Sequence, residues 1–220
     1  MGSILPDMGN YKAIAKIGSG ASGIVYKVVN EDGHYSAMKI FKNVSDAEID
    51  MEIECLKRVK QVCGDTLFCY IEDVNIDHNG VRSRGIITEY LDGYIDMFRF
   101  ITPRTPLSDI EKIRDQCIQA FLILARIGVA HNDANDTNIM VKRDEDGIKV
   151  KIIDFGKCSL DTQDDIQTTF KDLMLTFAYM LTDFGKYSRS FFEPFVYALR
   201  EIGASDQYID SIMVEIETIE

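Results

Sequence analysis

The feature that most constrains the fold of this chain is a change of hydrophobic period partway along it. From Tyr11 to Tyr90 the apolar residues fall mostly in short β-branched runs, whereas beyond Leu91-Asp92-Gly93 they recur every three to four residues over long segments. The first part reads as strands with one helix. "YKAIAKIG" and "GIVYKVVN" predict two strands joined by a glycine-rich turn, and "GHYSAMKIF", after the Asp32-Gly33 turn, predicts a third in a meander. Ser45 and Glu48 form a capping box, and Ile49, Ile53, Leu56 and Val59 keep helical spacing behind it. "TLFCYIEDVNI" and "RGIITEYL" predict a hairpin around Asn79-Gly80. "LSDIEKIRDQCIQAFLILARIG" is a long amphipathic helix, and from Thr168 helical patterns continue with breaks at Gly185 and Gly203. The expectation is an α+β chain, 1–220, with a β-rich part at 11–90, a hinge at 89–93 and a reduced helical part at 94–220.

Composition limits the partners. With 220 residues and 46% hydrophobic content, the chain can bury one good core or two small ones. Its net charge of −12 repels nucleic acid and anionic lipid, so neither is an expected partner. No apolar run reaches membrane-spanning length, and "FLILA" is soon interrupted by Arg126. Five cysteines at 55, 63, 69, 117 and 158 read as reduced thiols of a cytoplasm-like compartment. "MGSILP" fails the myristoylation pattern at Pro6.

Several short stretches carry chemistry. "IGSGASGIVYK" supplies Gly18, Gly20 and Gly23 between two antiparallel strands and opens no helix, which removes the context of a dinucleotide site. Glycines there leave room for backbone amides to approach phosphates. Lys39, flanked by Ala37, Met38 and Ile40 in a strand, needs a carboxylate partner; Glu52 is preferred and Glu48 is the second choice. "EYLDG" ends a strand in a glycine-containing link suited to a flat heterocycle. "HNDANDTNIMV" places Asp133 two residues after His131 and five before Asn138, and "KIIDFGK" then presents Asp154. Asn138 and Asp154 are hard oxygen donors able to hold Mg2+ against nucleotide phosphates, which leaves Asp133 to accept a hydroxyl proton. Asn132, Asn135 and Asp136 can equally be a solvated loop surface, the preferred reading for Asp136.

In order and spacing these motifs resemble the eukaryotic-type protein kinases, over roughly residues 11 to 182. The resemblance implies a bilobal fold using ATP and Mg2+. It makes Gly18, Gly20 and Gly23 the loop over the phosphates, with Val25 and Ala37 against adenine. Lys39 would hold the α- and β-phosphates, braced by Glu52. Leu56, His131 and Phe155 resemble the hydrophobic stack of active kinases. Thr88 resembles the gatekeeper, and the backbones of Glu89 and Leu91 the adenine contacts. Asp133 resembles the catalytic base and Asn138 and Asp154 the metal ligands. Asp172 resembles the buried Asp that ties the catalytic loop to a central helix.

Three departures bear on function. Asn132 replaces the arginine that grips an activation-loop phosphate, so switching by loop phosphorylation has no receiver. Asn135 stands where serine/threonine kinases carry a catalytic lysine, so either Lys157 substitutes or turnover is slow. Fifteen residues separate Gly156 from Asp172 without Ala-Pro-Glu. In architecture this resembles the small effector kinases that pathogenic bacteria deliver into host cells, of the OspG and NleH type, or trimmed kinases of large DNA viruses. The expected activity is that of a Ser/Thr protein kinase, and the effector resemblance implies weak basal activity in host cytoplasm and stimulation by a ubiquitin-conjugating enzyme carrying ubiquitin. Two other classes fit part of the pattern: a small-molecule phosphotransferase of the aminoglycoside or choline kinase kind, and an ATP-binding pseudokinase scaffold.

Overall fold

A computed structural model describes residues 7–62, 64, 66–67, 69–78 and 81–219. The Asn79-Gly80 turn, Cys63 and the "MGSILP" stretch lie outside the described residues. The chain falls into two compact units, Met1–Gln61 with Phe68–Asp92 and Val62–Leu67 with Gly93–Glu220.

The first unit is built on β1 (Asp7–Met8), β2 (Tyr11–Ser19), β3 (Gly23–Asn30), β4 (Tyr35–Phe41), β5 (Tyr70–His78) and β6 (Val81–Glu89), with helix α1 (Asp46–Val62). The strands form one antiparallel sheet in the order β1-β2-β3-β4-β6-β5, so the expected meander and hairpin join through β4 and β6. Register decides what each face carries. Val25 pairs Lys39 and Lys27 pairs Ala37, while Met38 pairs both Tyr26 and Ile87. Successive side chains alternate, so Val25, Ala37, Lys39 and Thr88 share one face and Met38 lies on the other. Met38 there joins Ala13, Val28, Ile76 and Ile87 in a buried apolar cluster. Helix α1 lies on the Lys39 face, where Arg84 of β6 also reaches Asp50 at 2.6 Å. Its capping box forms as the sequence predicts: the Glu48 carboxylate accepts from the Ser45 amide at 2.8 Å, and the Glu48 amide donates to the Ser45 hydroxyl at 3.3 Å. Those Ser45 hydrogen bonds hold the Glu48 carboxyl below its usual value.

The second unit carries β7 (Ile95–Asp96), α2 (Met97–Phe100), α3 (Leu107–Arg126), β8 (Val129–Ala130), β9 (Ile139–Asp144), β10 (Gly147–Ile152), β11 (Ser159–Leu160), α4 (Gln163–Asp183), α5 (Glu193–Glu201) and α6 (Asp206–Glu217). Helices α3 and α4 turn apolar stripes inward around Phe121, Phe170 and Phe177, all at most 2% exposed. The hairpin of β9 and β10 turns at Asp144 and Gly147, where Gly147 has φ 117°, and Gly185 and Gly203 break the later helices at φ 61° and 83°.

Two sequence-based boundaries move. Residues 66–69 were expected in the strand that β5 forms, but the strand starts at Tyr70, and Val62–Leu67 belongs to the second unit. Leu67 makes a parallel bridge with Ile152, the Ile152 amide donates to the Thr66 carbonyl at 3.2 Å, and Lys151 Nζ donates to the Gly64 and Leu67 carbonyls at 2.7 and 3.0 Å. Those bonds give the segment a place at the edge of β10 that its own sequence does not announce. Helix α4 begins at Gln163 rather than near Thr168, so only Lys157 to Thr162 lies between Gly156 and a helix.

Candidate active site

The chemistry-bearing residues form one group in each unit. In the first unit, Lys39 Nζ donates to both carboxylate oxygens of Glu52, at 2.8 and 2.9 Å, with the side chains 12% and 5% exposed. A lysine this far from water needs such a partner, and Glu48 is engaged in the cap instead. Val25, Ala37 and Thr88 flank Lys39 on its sheet face, and Thr88 is buried. The Glu89 amide donates to the Cys69 carbonyl at 2.9 Å and its carboxylate accepts from the Cys69 amide at 2.7 Å, which fixes the backbone leading to Leu91. Leu56 is fully buried in α1.

The three glycines of the loop do different work. A Cβ on Gly23 would stand 2.6 Å from the Ile40 carbonyl oxygen, so close strand packing requires glycine there. At Gly20 a Cβ would meet nothing within 4 Å, and at Gly18 only Val25, at 3.4 Å. The room expected for backbone approach to phosphates is therefore a property of Gly18 and Gly20, while Gly23 serves the sheet.

In the second unit, Asp133 sits 25% exposed at the centre of a short network. Its Oδ2 and its carbonyl both accept from Asn138 Nδ2 at 3.0 Å, and its Oδ1 accepts from Lys157 Nζ at 2.9 Å. The Asp133 carboxylate holds the Lys157 ammonium above its usual pKa. Asn138 is tied by its carbonyl to the Ile153 amide at 3.0 Å, which brings it beside Asp154. Asp154 has φ 60°, a left-handed conformation that a non-glycine residue rarely holds without cause. With Asn138 Nδ2 spent on Asp133, its Oδ1 and the Asp154 carboxylate are hard oxygen donors of the kind that suits Mg2+. Among the described residues no group of three or more His, Cys, Asp and Glu is arranged to hold a metal ion, and the amide donor falls outside that set.

His131 is completely buried, and its Nε2 lies 2.8 Å from the Ile153 carbonyl. A carbonyl only accepts, so Nε2 is the nitrogen that carries a proton. Burial drives its pKa down. Its ring meets Phe155 edge-on at 4.8 Å and Phe121 at 5.9 Å, so the His131 and Phe155 members of the expected apolar stack are together.

Three sequence-based roles need correction. The resemblance puts the tie between the catalytic loop and α4 on Asp172, but among the described residues the Asp172 carboxylate makes no hydrogen bond to that loop, and its backbone carbonyl accepts from Thr176 Oγ1 at 2.9 Å. Thr169 makes the tie instead: its Oγ1 accepts from the Asn132 amide at 3.1 Å and donates to Asn132 Oδ1 at 3.3 Å. One turn and more along α4, Thr176 Oγ1 donates to the Ala134 carbonyl at 3.1 Å. Asp172 is half-buried, and that burial raises its carboxyl pKa. Asn135, assigned among the catalytic residues, turns its Oδ1 back onto its own loop and accepts from the Thr137 amide and hydroxyl and the Asn138 amide at 3.0, 2.6 and 3.2 Å. The competing reading of Asn132, Asn135 and Asp136 as a solvated surface holds only in part, since all three are partly buried. Asn132 Nδ2 donates to the Lys157 carbonyl and the Ser159 hydroxyl at 3.1 and 2.9 Å, and burial raises the Asp136 pKa.

The sequence pass missed Thr169 and Thr176. A signal existed: Thr169 lies on the inward stripe of α4 with Ile166, Phe170 and Leu173, where a hydroxyl has to find a partner.

The family model described as protein kinase domain matches residues 11–184. The MAPK/MAK/MRK overlapping kinase of Homo sapiens is 31% identical over 160 residues, which cover 69% of this chain and 36% of that protein. A probable dual specificity protein kinase of Encephalitozoon cuniculi, a YAK1 homolog, is 29% identical over 161 residues, 70% of this chain and 38% of its own length. The serine/threonine-protein kinase zyg-8 of Caenorhabditis elegans is 26% identical over 174 residues, 70% and 21% respectively. The chain thus spans less than two fifths of the length of each of these relatives.

Proposed function

This chain belongs to the eukaryotic-type protein kinase family, and on that premise we propose that it transfers the γ-phosphoryl group of ATP to a serine or threonine hydroxyl of a protein. The observation that carries the proposal is the two-pronged Lys39–Glu52 pair. Keeping an ammonium and a carboxylate away from water is costly and adds little to stability over an apolar pair, so a nucleotide-binding role is the better account of both. Lys39 binds the α- and β-phosphates. Val25 and Ala37 cover adenine, with Thr88 behind it and the Glu89 and Leu91 backbones along its edge. Asn138 and Asp154 hold Mg2+, which when bound neutralises charge on the phosphates. Asp133 accepts the proton of the attacking hydroxyl.

The serine/threonine assignment draws support from relatives such as zyg-8, which is named a serine/threonine-protein kinase. A minimal, partner-stimulated kinase of the effector type, working in a reducing host cytoplasm, is the finer reading. Its support is the short stretch from Lys157 to Thr162 before α4, which gives little room for a segment that reorders on phosphorylation. A partner that prefers the active arrangement then raises the rate by shifting the population, about tenfold for 1.4 kcal/mol of preference. With a chain charge of −12, the partner presents a basic or neutral face, as a ubiquitin-conjugating enzyme carrying ubiquitin can.

The test is incubation of the purified chain with labelled ATP and Mg2+, with a generic protein substrate or with aminoglycosides, each with and without the ubiquitin-loaded conjugating enzyme. Label on serine or threonine supports the reading, and a rate increase with the partner supports the finer one. Label on aminoglycosides alone moves the chain to the small-molecule phosphotransferases, and nucleotide binding without any transfer makes it a scaffold.

A further inference from the structure

A protein kinase needs a cation beside its catalytic base, because negative charge on the γ-phosphoryl oxygens must be offset as the bond to the attacking oxygen forms. The position two residues after Asp133 supplies none: Asn135 is neutral, and its Oδ1 is committed to three hydrogen bonds within its own turn. A cation beside the base comes from elsewhere in the chain. Lys157 Nζ stands 2.9 Å from Asp133 Oδ1.

Its root is fixed while its head is exposed. The Lys157 carbonyl accepts from Asn132 Nδ2 at 3.1 Å, and the adjoining turn is closed by the Cys158 amide donating to the Phe155 carbonyl at 3.1 Å. The Lys157 side chain is 66% exposed, so its ammonium can leave Asp133 for another acceptor within reach of its four-carbon stem. Asn132, at the position where the resemblance expects a phosphate-gripping arginine, holds this root in place.

We propose that Lys157 is the catalytic cation of this kinase, donating a hydrogen bond to a γ-phosphoryl oxygen in place of the missing catalytic-loop lysine; this rests on the reading of the chain as an ATP-dependent kinase. In the step it serves, the substrate hydroxyl oxygen forms a bond to the γ-phosphorus. The bond from that phosphorus to the β–γ bridging oxygen breaks, and its electron pair leaves with ADP. The hydroxyl proton passes to the Asp133 carboxylate, and Lys157 keeps its own proton throughout. In moving to the phosphoryl group, Lys157 also uncovers Asp133 Oδ1, the oxygen it pairs with before nucleotide arrives. An ordinary lysine is already charged through the neutral range, and while Lys157 is paired with Asp133 that carboxylate raises its pKa further.

The experiment compares Lys157→Ala, Lys157→Arg and the double variant Lys157→Ala with Asn135→Lys, with a melting curve for each. It measures kcat and KM for ATP, and also the affinity for Mg-ADP alone and for Mg-ADP with aluminium fluoride, which mimics the transferring phosphoryl group. Loss of one charged transition-state donor lowers kcat by about 10²–10³-fold. Lys157→Ala should show that loss with KM for ATP little changed, and should weaken the aluminium fluoride complex but not ADP binding. Arginine at 157 should recover most of the loss, and lysine at 135 should recover part of it. Turnover of Lys157→Ala within twofold of the parent, or an equal loss with arginine at 157, overturns the proposal. If the parent chain binds nucleotide without turnover, the kinase reading fails by itself, and the aluminium fluoride comparison still decides the role of Lys157. Absence of nucleotide binding overturns both.

Discussion

Replacing Thr169 by valine removes one oxygen and keeps the shape of the side chain. Thr169 is 2% exposed, and its hydroxyl accepts from the Asn132 amide at 3.1 Å while donating to Asn132 Oδ1 at 3.3 Å. Valine leaves that amide facing a methyl group in the interior. A buried donor left without its acceptor costs about 1–3 kcal/mol. Asn132 is also held at φ 59°, a left-handed conformation that its surroundings must enforce. For a chain of this size each kcal/mol shifts the melting midpoint by roughly 2–4 °C. Activity should fall as well, because Asn132 fixes the Lys157 carbonyl and lies next to Asp133. The assay is a thermal melt with a kinase rate on Thr169→Val, Thr169→Ser and Asp172→Asn. Serine keeps the hydroxyl and should lie close to the parent. Asparagine at 172 removes a charge that burial disfavours, so it should leave the midpoint unchanged or raised. A parent-like melt for Thr169→Val together with a lowered one for Asp172→Asn would refute the reasoning and return the anchoring role to Asp172.

Asp154→Ala should abolish phosphotransfer with only a small loss of stability, because alanine holds φ 60° less readily than aspartate and the Gly156 amide loses its acceptor; Lys39→Ala should abolish it too, with a larger loss, since Glu52 is 5% exposed and removing one member of a buried pair costs up to about 3–5 kcal/mol. An active Asp154→Ala protein would remove that residue from the site. Replacing Ser159, Thr162 and Thr168 together with alanine should not leave an enzyme that glutamate at those positions rescues; glutamate rescue in kinase assays would show a phosphorylation switch after all. Stability should fall on acidification through His131: burial holds its folded pKa below the ordinary imidazole value of about 6.5, so its contribution is fully present above about pH 6.5 and is lost as the pH drops and the unfolded chain takes up the proton. Melts from pH 7.5 to 5.5 should show a smaller decline in His131→Phe than in the parent, and equal slopes would exclude the ring.

What the sequence determined by itself are the features encoded locally. The meander, the capping box at Ser45 and Glu48, and α3 follow from residue periods and short-range hydrogen bonds that need no knowledge of the rest of the chain. The choice of Glu52 for Lys39 was also within reach, because a buried ammonium demands a carboxylate and Glu48 had a competing role in the cap. The tertiary structure alone decided which oxygen meets which amide across long separations. Thr169 stands 37 residues from Asn132, and Asp172, only one turn further along the same helix, is the more polar candidate by composition. Helix phase selects between them: 3.6 residues per turn put Thr169 on the inward stripe and leave Asp172 half-buried. Lys157 and Asp133, 24 residues apart, are brought together because β11 pairs with β8 and Asn132 holds the turn that precedes β11. The edge pairing of Thr66 and Leu67 with β10 arose in the same way. A sequence states which groups need partners, and only the packed chain fixes the distances that assign them.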